Sequence, residues 1–234
     1  MSPPLDGFAP HFDSRRLVPA RDAETMRRIH ALRFSVYCVE CGFLPAEQYR
    51  DGLECDLHDA GAAHFCAVGR EGNLAGYVRL VKADAEGRFP FQGHCATLFD
   101  HVRLPDPRSA GEISRLMVHE RYRRRRGDTL AGITVEDHAA PALERRNDSP
   151  QIMLSMFRQM YAYSVSNDIR YWYAAMERTL ARALMRLGFA FNLIGPETDY
   201  YGPVAPYLAD LRELESKVGQ AKPDLLEWMR EPLA

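Results

Sequence analysis

The 234-residue sequence has no run of about eighteen apolar residues, so nothing in it reads as a membrane-spanning helix. The first nineteen residues lack the apolar centre that a secretion signal needs, and a soluble cytoplasmic protein is expected. Lysine is scarce: arginine supplies all but three of the 30 basic residues, and the net charge is −2. That balance excludes a globally basic nucleic-acid binder and leaves only local basic patches. Five cysteines, an odd number without a secretion signal, argue against a disulfide framework. Cys38-x2-Cys41 and Cys55-x2-His58 do have the ligand count and spacing of a Cys3His zinc site. The alternative for these cysteines is small, reduced, partly buried thiols. Internal repeats and low-complexity tracts are absent too, so a chain of this length is expected to form one domain, residues 21–234, preceded by a flexible arm over residues 1–20.

Periodicity supplies the elements. Met26, Ile29, Arg33, Val36 and Tyr37 recur at helical steps within residues 22–41, which turns Arg33 toward the core. Residues 42–61 are polar, acidic and irregular, as in a functional loop. Strands follow at 64–69 and 74–81 around an Arg-Glu-Gly-Asn turn, and another at 112–118 after a proline-rich loop. Residues 139–150 read as a connection and 153–166 as a helix with a methionine-rich face. The run 171–176 has the composition of a strand buried on both faces. A helix through Leu180, Ala183, Leu184 and Leu187 stops at Gly188, a final core strand is expected at 189–194, and an amphipathic helix through Tyr207, Leu208, Leu211 and Leu214 closes the chain. This order implies an α/β fold whose mixed central sheet is covered by helices on both faces.

Charge falls where the pattern calls for burial. A core-facing Arg33 is costly unless carboxylates meet it, and Glu54, Asp56, Asp59 and Glu112 are the candidates. Arg79 interrupts the apolar end of its strand, and Glu112 and Arg115 bracket Ile113-Ser114 in the next. A buried ionic cluster around one cavity is expected, and such clusters are common at functional sites.

These residues resemble the acyl-homoserine-lactone (autoinducer) synthases and the related long-chain N-acyl amino acid synthases. The resemblance is carried by Arg33-x3-Tyr37-x5-Phe43, by Glu54-x-Asp56-x2-Asp59, by Arg79-Leu80 and by Glu112-Ile113-Ser114-Arg115. The autoinducer branch usually has Phe and Trp at the positions of Tyr37 and Phe43, a departure that points away from a homoserine lactone product. The C-terminal half resembles the acyltransferases associated with PEP-CTERM/exosortase systems, through the arginine-rich stretch after the Glu-x-Ser-Arg strand, Tyr171-Trp172-Tyr173-Ala174-Ala175-Met176-Glu177, Ile194-Gly195-Pro196-Glu197 and Pro206-Tyr207-Leu208-Ala209-Asp210.

The resemblance implies the GNAT (acyl-CoA N-acyltransferase-like) fold and acyl transfer from a carrier thioester to the amine of a small, amino-acid-like acceptor, with no tightly bound cofactor. Glu112 is expected to take the proton of the amine. Asp56 and Asp59 would hold the ammonium, Arg33, Arg79 or Arg115 a carboxylate, and Tyr37 and Phe43 would complete the substrate site. The backbone of Leu116, Met117 and Val118 would polarise the thioester carbonyl, with a bulge aiming Glu112 and Arg115 at one site. The stretch Arg121-Tyr122-Arg123-Arg124-Arg125-Arg126-Gly127 keeps one glycine where a phosphate-cradling loop is usually rich in them. Arg123, Arg124, Arg125, Arg126 and Gly127 are therefore expected to dock the donor, acyl-ACP or acyl-CoA, and they fit an acidic acyl carrier protein better than coenzyme A. Leu184 stands where that fold often has a thiol-protonating tyrosine, and Trp172, Tyr173, Met153, Phe157 and Met160 are candidates for an acyl slot. The rival readings are an autoinducer synthase using S-adenosylmethionine, a non-catalytic acyl-carrier-binding module, and a zinc-organised interaction domain.

Overall fold

The structure is a computed structural model that describes residues 12–123 and 148–233. It is organised by a hairpin whose turn the sequence makes plain: Gly72 takes φ +76°, and the Gly69 N–H donates to the Asn73 carbonyl at 2.8 Å. The turn joins β2 (Ala62–Gly69) to β3 (Leu74–Val81), and every residue of the latter is buried. β1 (Phe12–Leu17) pairs antiparallel with β2, and β4 (Ala110–Val118) pairs antiparallel with β3. β5 (Tyr171–Met176) then runs parallel to β4, the one parallel pairing among the described strands. Two short strands, β6 (Asn192–Leu193) and β7 (Thr198–Asp199), pair with β8 (Pro203–Asp210), which is antiparallel to β5. The main order is β1-β2-β3-β4-β5-β8-β6, a mixed sheet as expected.

Side-chain alternation gives the sheet two faces. On one, α1 (Ala23–Phe34) sets Met26, Ile29 and Leu32 on Cys66, Tyr77 and Met117. Farther along that face, Phe89, Phe91 and Cys95 cover Ala110 and Tyr173. On the other, α2 (Asp148–Ser166) sets Ile152, Met156, Phe157 and Met160 on Phe65, Ala75, Val78 and Ile113, so its methionine stripe is core. Gly76 permits that approach: a Cβ there would stand 2.8 Å from Ile152 and 2.9 Å from Met156. α3 (Arg178–Arg186), α4 (Leu211–Ala221) and α5 (Pro223–Arg230) complete this layer through Leu184, Leu214, Val218, Leu225 and Trp228.

The sequence reading needs correcting in three places. Residues 12–17 are not part of a flexible arm: Phe12 and Leu17 are buried, and the segment is the edge strand β1. Tyr207 and Leu208 belong to β8 rather than to a helix. Pro203 and Pro206 hold the residues before them extended, and the helix begins after Asp210, whose carboxylate accepts the Arg212 N–H at 3.0 Å. Residues 189–194 bury Phe189, Phe191 and Ile194, yet only Asn192–Leu193 pairs as a strand.

Candidate active site

The acidic loop is fastened from several sides. The Glu54 N–H donates to the His30 carbonyl of α1 at 3.0 Å, and the Asp56 N–H donates to the Asp59 carboxylate at 2.8 Å. His64 Nε2 lies 2.9 Å from the Asp59 carbonyl and Nδ1 2.7 Å from the Tyr77 hydroxyl. A carbonyl only accepts, so Nε2 carries the proton and Nδ1 accepts from tyrosine. Burial lowers the pKa of His64 and keeps the ring neutral.

Three arginines converge on this loop. Arg33, fully buried, donates through Nε to Glu54 at 2.5 Å and through Nη1 to Asp59 at 2.6 Å. Arg79 grips Asp56 with two nitrogens at 2.6 and 2.7 Å and reaches Asp59 at 2.5 Å. Arg115 donates to Glu54 at 3.0 Å and Asp56 at 3.1 Å. Burial works against ionisation of Glu54, Asp56 and Asp59, but the guanidinium hydrogen bonds and charges outweigh it and hold all three below the usual carboxylate range. The expected ionic cluster is therefore present. Glu112 does not belong to it.

Arg115 joins the cluster through a backbone irregularity. Met117 pairs with Tyr77 but Ser114 pairs with Arg79, so β4 carries one more residue than β3 between these points. Arg115 sits in this bulge at φ +55°. The bulge expected from the sequence is thus present, and it turns Arg115 to the face where the Ser114 hydroxyl accepts from Arg79 at 3.3 Å. The other side of β4 also opens, since pairing with β5 ends at Ile113 and Ala174 while both strands continue.

A cavity of about 140 Å³ occupies this opening. Its walls come from both faces of the sheet. On the α1 side stand Glu112, Ser114 and Arg115 with Tyr37, Phe43, Tyr200 and Tyr201; on the α2 side stand Phe157, Leu180, Leu184 and Phe191. A π-helical turn, Ser35–Glu40, continues α1 and brings Tyr37 beneath Arg115, whose guanidinium carbon lies 4.9 Å from the ring centre. Glu112 is the poorly compensated group here. Its carboxyl accepts the Phe91 N–H at 2.8 Å and forms no ion pair among the described residues; burial pushes its pKa up to about 8, against the opposing pull of that hydrogen bond and of Arg79 and Arg115.

Of the residues expected at the site, Tyr37, Phe43, Glu112, Arg115 and Leu116 line the cavity. Arg33, Asp56, Asp59 and Arg79 are assembled beside it, paired among themselves and with Glu54 and Arg115, and none lines it. Met117 and Val118 are core residues paired with Tyr77 and Gly76 and contribute no side chain to the cavity. Trp172, Tyr173, Met153 and Met160 do not line the cavity: the Trp172 indole N–H donates to Ser164 in the core, Tyr173 is buried against Phe89 and Phe91, and the two methionines are core. The apolar wall of the cavity is Phe157, which was expected there, with Leu180, Leu184 and Phe191, because the splay of β4 and β5 opens toward α2 and α3 rather than over the middle of β5.

Arg123 is held by Glu40 in a two-pronged pair at 2.5 and 2.6 Å, and residues 124–127 lie outside the described residues. Cys38 and Cys66 are buried while Cys55 is exposed, and no group of three or more His, Cys, Asp or Glu among the described residues could hold a metal. Tyr200 and Tyr201 escaped the sequence reading; the signal available was a pair of aromatics directly before Gly202.

Residues 32–132 match the acetyltransferase (GNAT) domain. No curated protein matches the chain in sequence. Solved structures do match in shape. The CoA-dependent acyl-homoserine lactone synthase BjaI, solved with SAM and isopentyl-CoA, aligns with a TM-score of 0.64 at 16% identity over 95% of this chain and 91% of its own. The AHL synthase LasI aligns at 0.59 and 17% identity over 90% and 92%. FeeM, an N-acyl amino acid synthase from uncultured soil microbes, aligns at 0.57 and 18% identity over 92% and 98%. No helix among the described residues is long and apolar enough to cross a membrane. The chain has the GNAT acyltransferase fold, with its cavity in the gap between β4 and β5 and the arginine–carboxylate cluster along one side.

Proposed function

We propose that the protein is an N-acyltransferase that moves a fatty acyl group from a thioester, on acyl carrier protein or coenzyme A, to the amine of a small amino-acid-like acceptor. The observation that carries this reading is the division of one cavity into two chemical halves that meet at the splay of β4 and β5. The apolar half, with Phe157, Leu180, Leu184 and Phe191, suits an acyl chain; the polar, aromatic half suits an amine.

Glu112 lies in the polar half with a pKa near that of a weakly basic amine, and as carboxylate it removes the amine proton. The nitrogen then attacks the thioester carbonyl, the carbon–sulfur bond breaks, and the proton passes to the departing thiolate or to solvent. Beyond Ile113 the β4 edge facing β5 has no strand partner, which supports the backbone N–H groups of Leu116 and Val118 as donors to the carbonyl oxygen; the Met117 N–H alternates to the other edge, toward β3, where the His119 N–H donates to the Ala75 carbonyl. One such donor is worth roughly 3 kcal/mol in other enzymes. Arg115, the one guanidinium of the cluster that lines the cavity, is suited to an acceptor carboxylate. Glu54 and Asp56 hold it in place, and Arg33, Arg79 and Asp59 complete the cluster that fixes those two carboxylates. Leu184 offers no proton, so α3 takes no part in thiol protonation.

The C-terminal motifs that resemble PEP-CTERM/exosortase-associated acyltransferases support the same reaction class, and we place the reaction in the cytoplasm, where carrier thioesters occur. The test is incubation with acyl carrier protein and coenzyme A thioesters of several lengths and a pooled amine set that includes S-adenosylmethionine, with products read by mass. Acylated amino acids are expected. An acylated lactone would make the protein an autoinducer synthase, and thioester binding without consumption would make it a non-catalytic carrier-binding module.

A further inference from the structure

The turn between β7 and β8 has a conformation that its residues do not favour. Tyr201 lies at φ +56° and Gly202 at φ +97°. Glycine is at home there, but a tyrosine in the left-handed region is an outlier, since its Cβ crowds the backbone. Asparagine or glycine would fit position 201 better.

What Tyr201 gains is the placement of its ring. It stacks on Phe43 with centroids 6.1 Å apart, meets Tyr200 at 4.5 Å and faces the Arg115 guanidinium at 6.0 Å. Tyr200 is in turn clamped by His94, ring on ring at 3.7 Å and 9°. Both tyrosines line the cavity on the side of Glu112 and Arg115, whereas His94 does not line it. Strain kept at a turn tip, with its side chain aimed at a cavity, marks a position held for use rather than for folding.

We infer that the Tyr200–Tyr201 tip is the specificity-determining element for the acceptor, reading the part of the amine substrate that does not react, with His94 as its positioning residue. The inference rests on the proposed acyl transfer and assigns recognition within it. An aromatic wall of this kind selects an acceptor with an apolar or planar body.

The experiment measures acyl transfer by wild type, Tyr201→Asn and His94→Ala across the amine pool at saturating thioester, together with thermal unfolding. Tyr201→Asn should raise the acceptor KM roughly tenfold, the value of one aromatic contact, flatten the ranking of amines and leave the thioester KM unchanged. Its Tm should rise as the strain is relieved. His94→Ala, at an exposed position, should move the acceptor KM in the same direction by a smaller factor. An unchanged acceptor KM and ranking in an active protein, or a thioester KM rising in step, would overturn the inference alone. A lower Tm for Tyr201→Asn would assign the ring to packing and do the same. No transfer by wild type to any amine would instead remove the proposed function, and this assignment with it.

Discussion

Glu112 and Asp59 are both partly or wholly withdrawn from water, yet their proton affinities are driven in opposite directions. Burial dominates for Glu112, whose folded pKa of about 8 exceeds its ordinary 4.5. The folded protein thus holds a proton that the unfolded chain releases, so this residue favours folding at low pH and costs stability as pH climbs from the carboxylate range through about 8. In the proposed role activity has the reverse sign, because a general base must be ionised. Glu112→Gln should therefore reduce kcat by roughly 10²–10⁴ while thioester binding persists. In urea melts between about pH 5 and about pH 8, the variant should lack the stability decline that Glu112 gives the wild type. Asp59, held by Arg33 and Arg79 below its ordinary 3.8, contributes stability above the carboxylate range and loses it in acid. Asp59→Asn takes one carboxylate from two buried guanidinium groups that keep Glu54 and Asp56 as partners, and should cost about 3 kcal/mol in chemical denaturation, the lower end for a broken buried pair.

At the scale of elements, the site depends on where regular pairing fails. The β4 bulge, the splay from β5 and the π-helical turn after α1 each move a side chain or open a gap that ideal geometry would not provide. The first was legible in the sequence, because Glu112, Ser114 and Arg115 cannot share one face of a regular strand. The buried cluster was legible as well, since Arg33 falls on the apolar face of a helix and Arg79 within an apolar strand. The strand β8 was not: Tyr207, Leu208, Leu211 and Leu214 happen to keep helical spacing across a strand–helix boundary, and only Pro203, Pro206 and Asp210 mark it. Aromatic richness at Trp172 and Tyr173 shows that they are buried, not which void they face, and neither lines the cavity, whereas Phe157 does. A sharper constraint operates at Gly76, beneath α2. Gly76→Val should displace Ile152 and Met156 and lower stability by roughly 1–3 kcal/mol, measurable as a reduced midpoint in urea.

Across the whole molecule, the two halves of the sheet have separate duties. β1 to β4, with α1 and the acidic loop, carry every group of the ionic cluster; β5 to β8, with α2 to α5, supply most of the apolar floor and the aromatic turn. The cavity exists only where these halves diverge, so its walls belong to opposite faces of one sheet. Two substrates that enter from opposite faces do not exclude each other, and they can occupy the enzyme together in a ternary complex. Attack can then be direct, with no acyl group parked on the protein between half-reactions. Double-reciprocal plots at several fixed thioester concentrations should accordingly give lines that intersect; a parallel family would require an acylated enzyme instead.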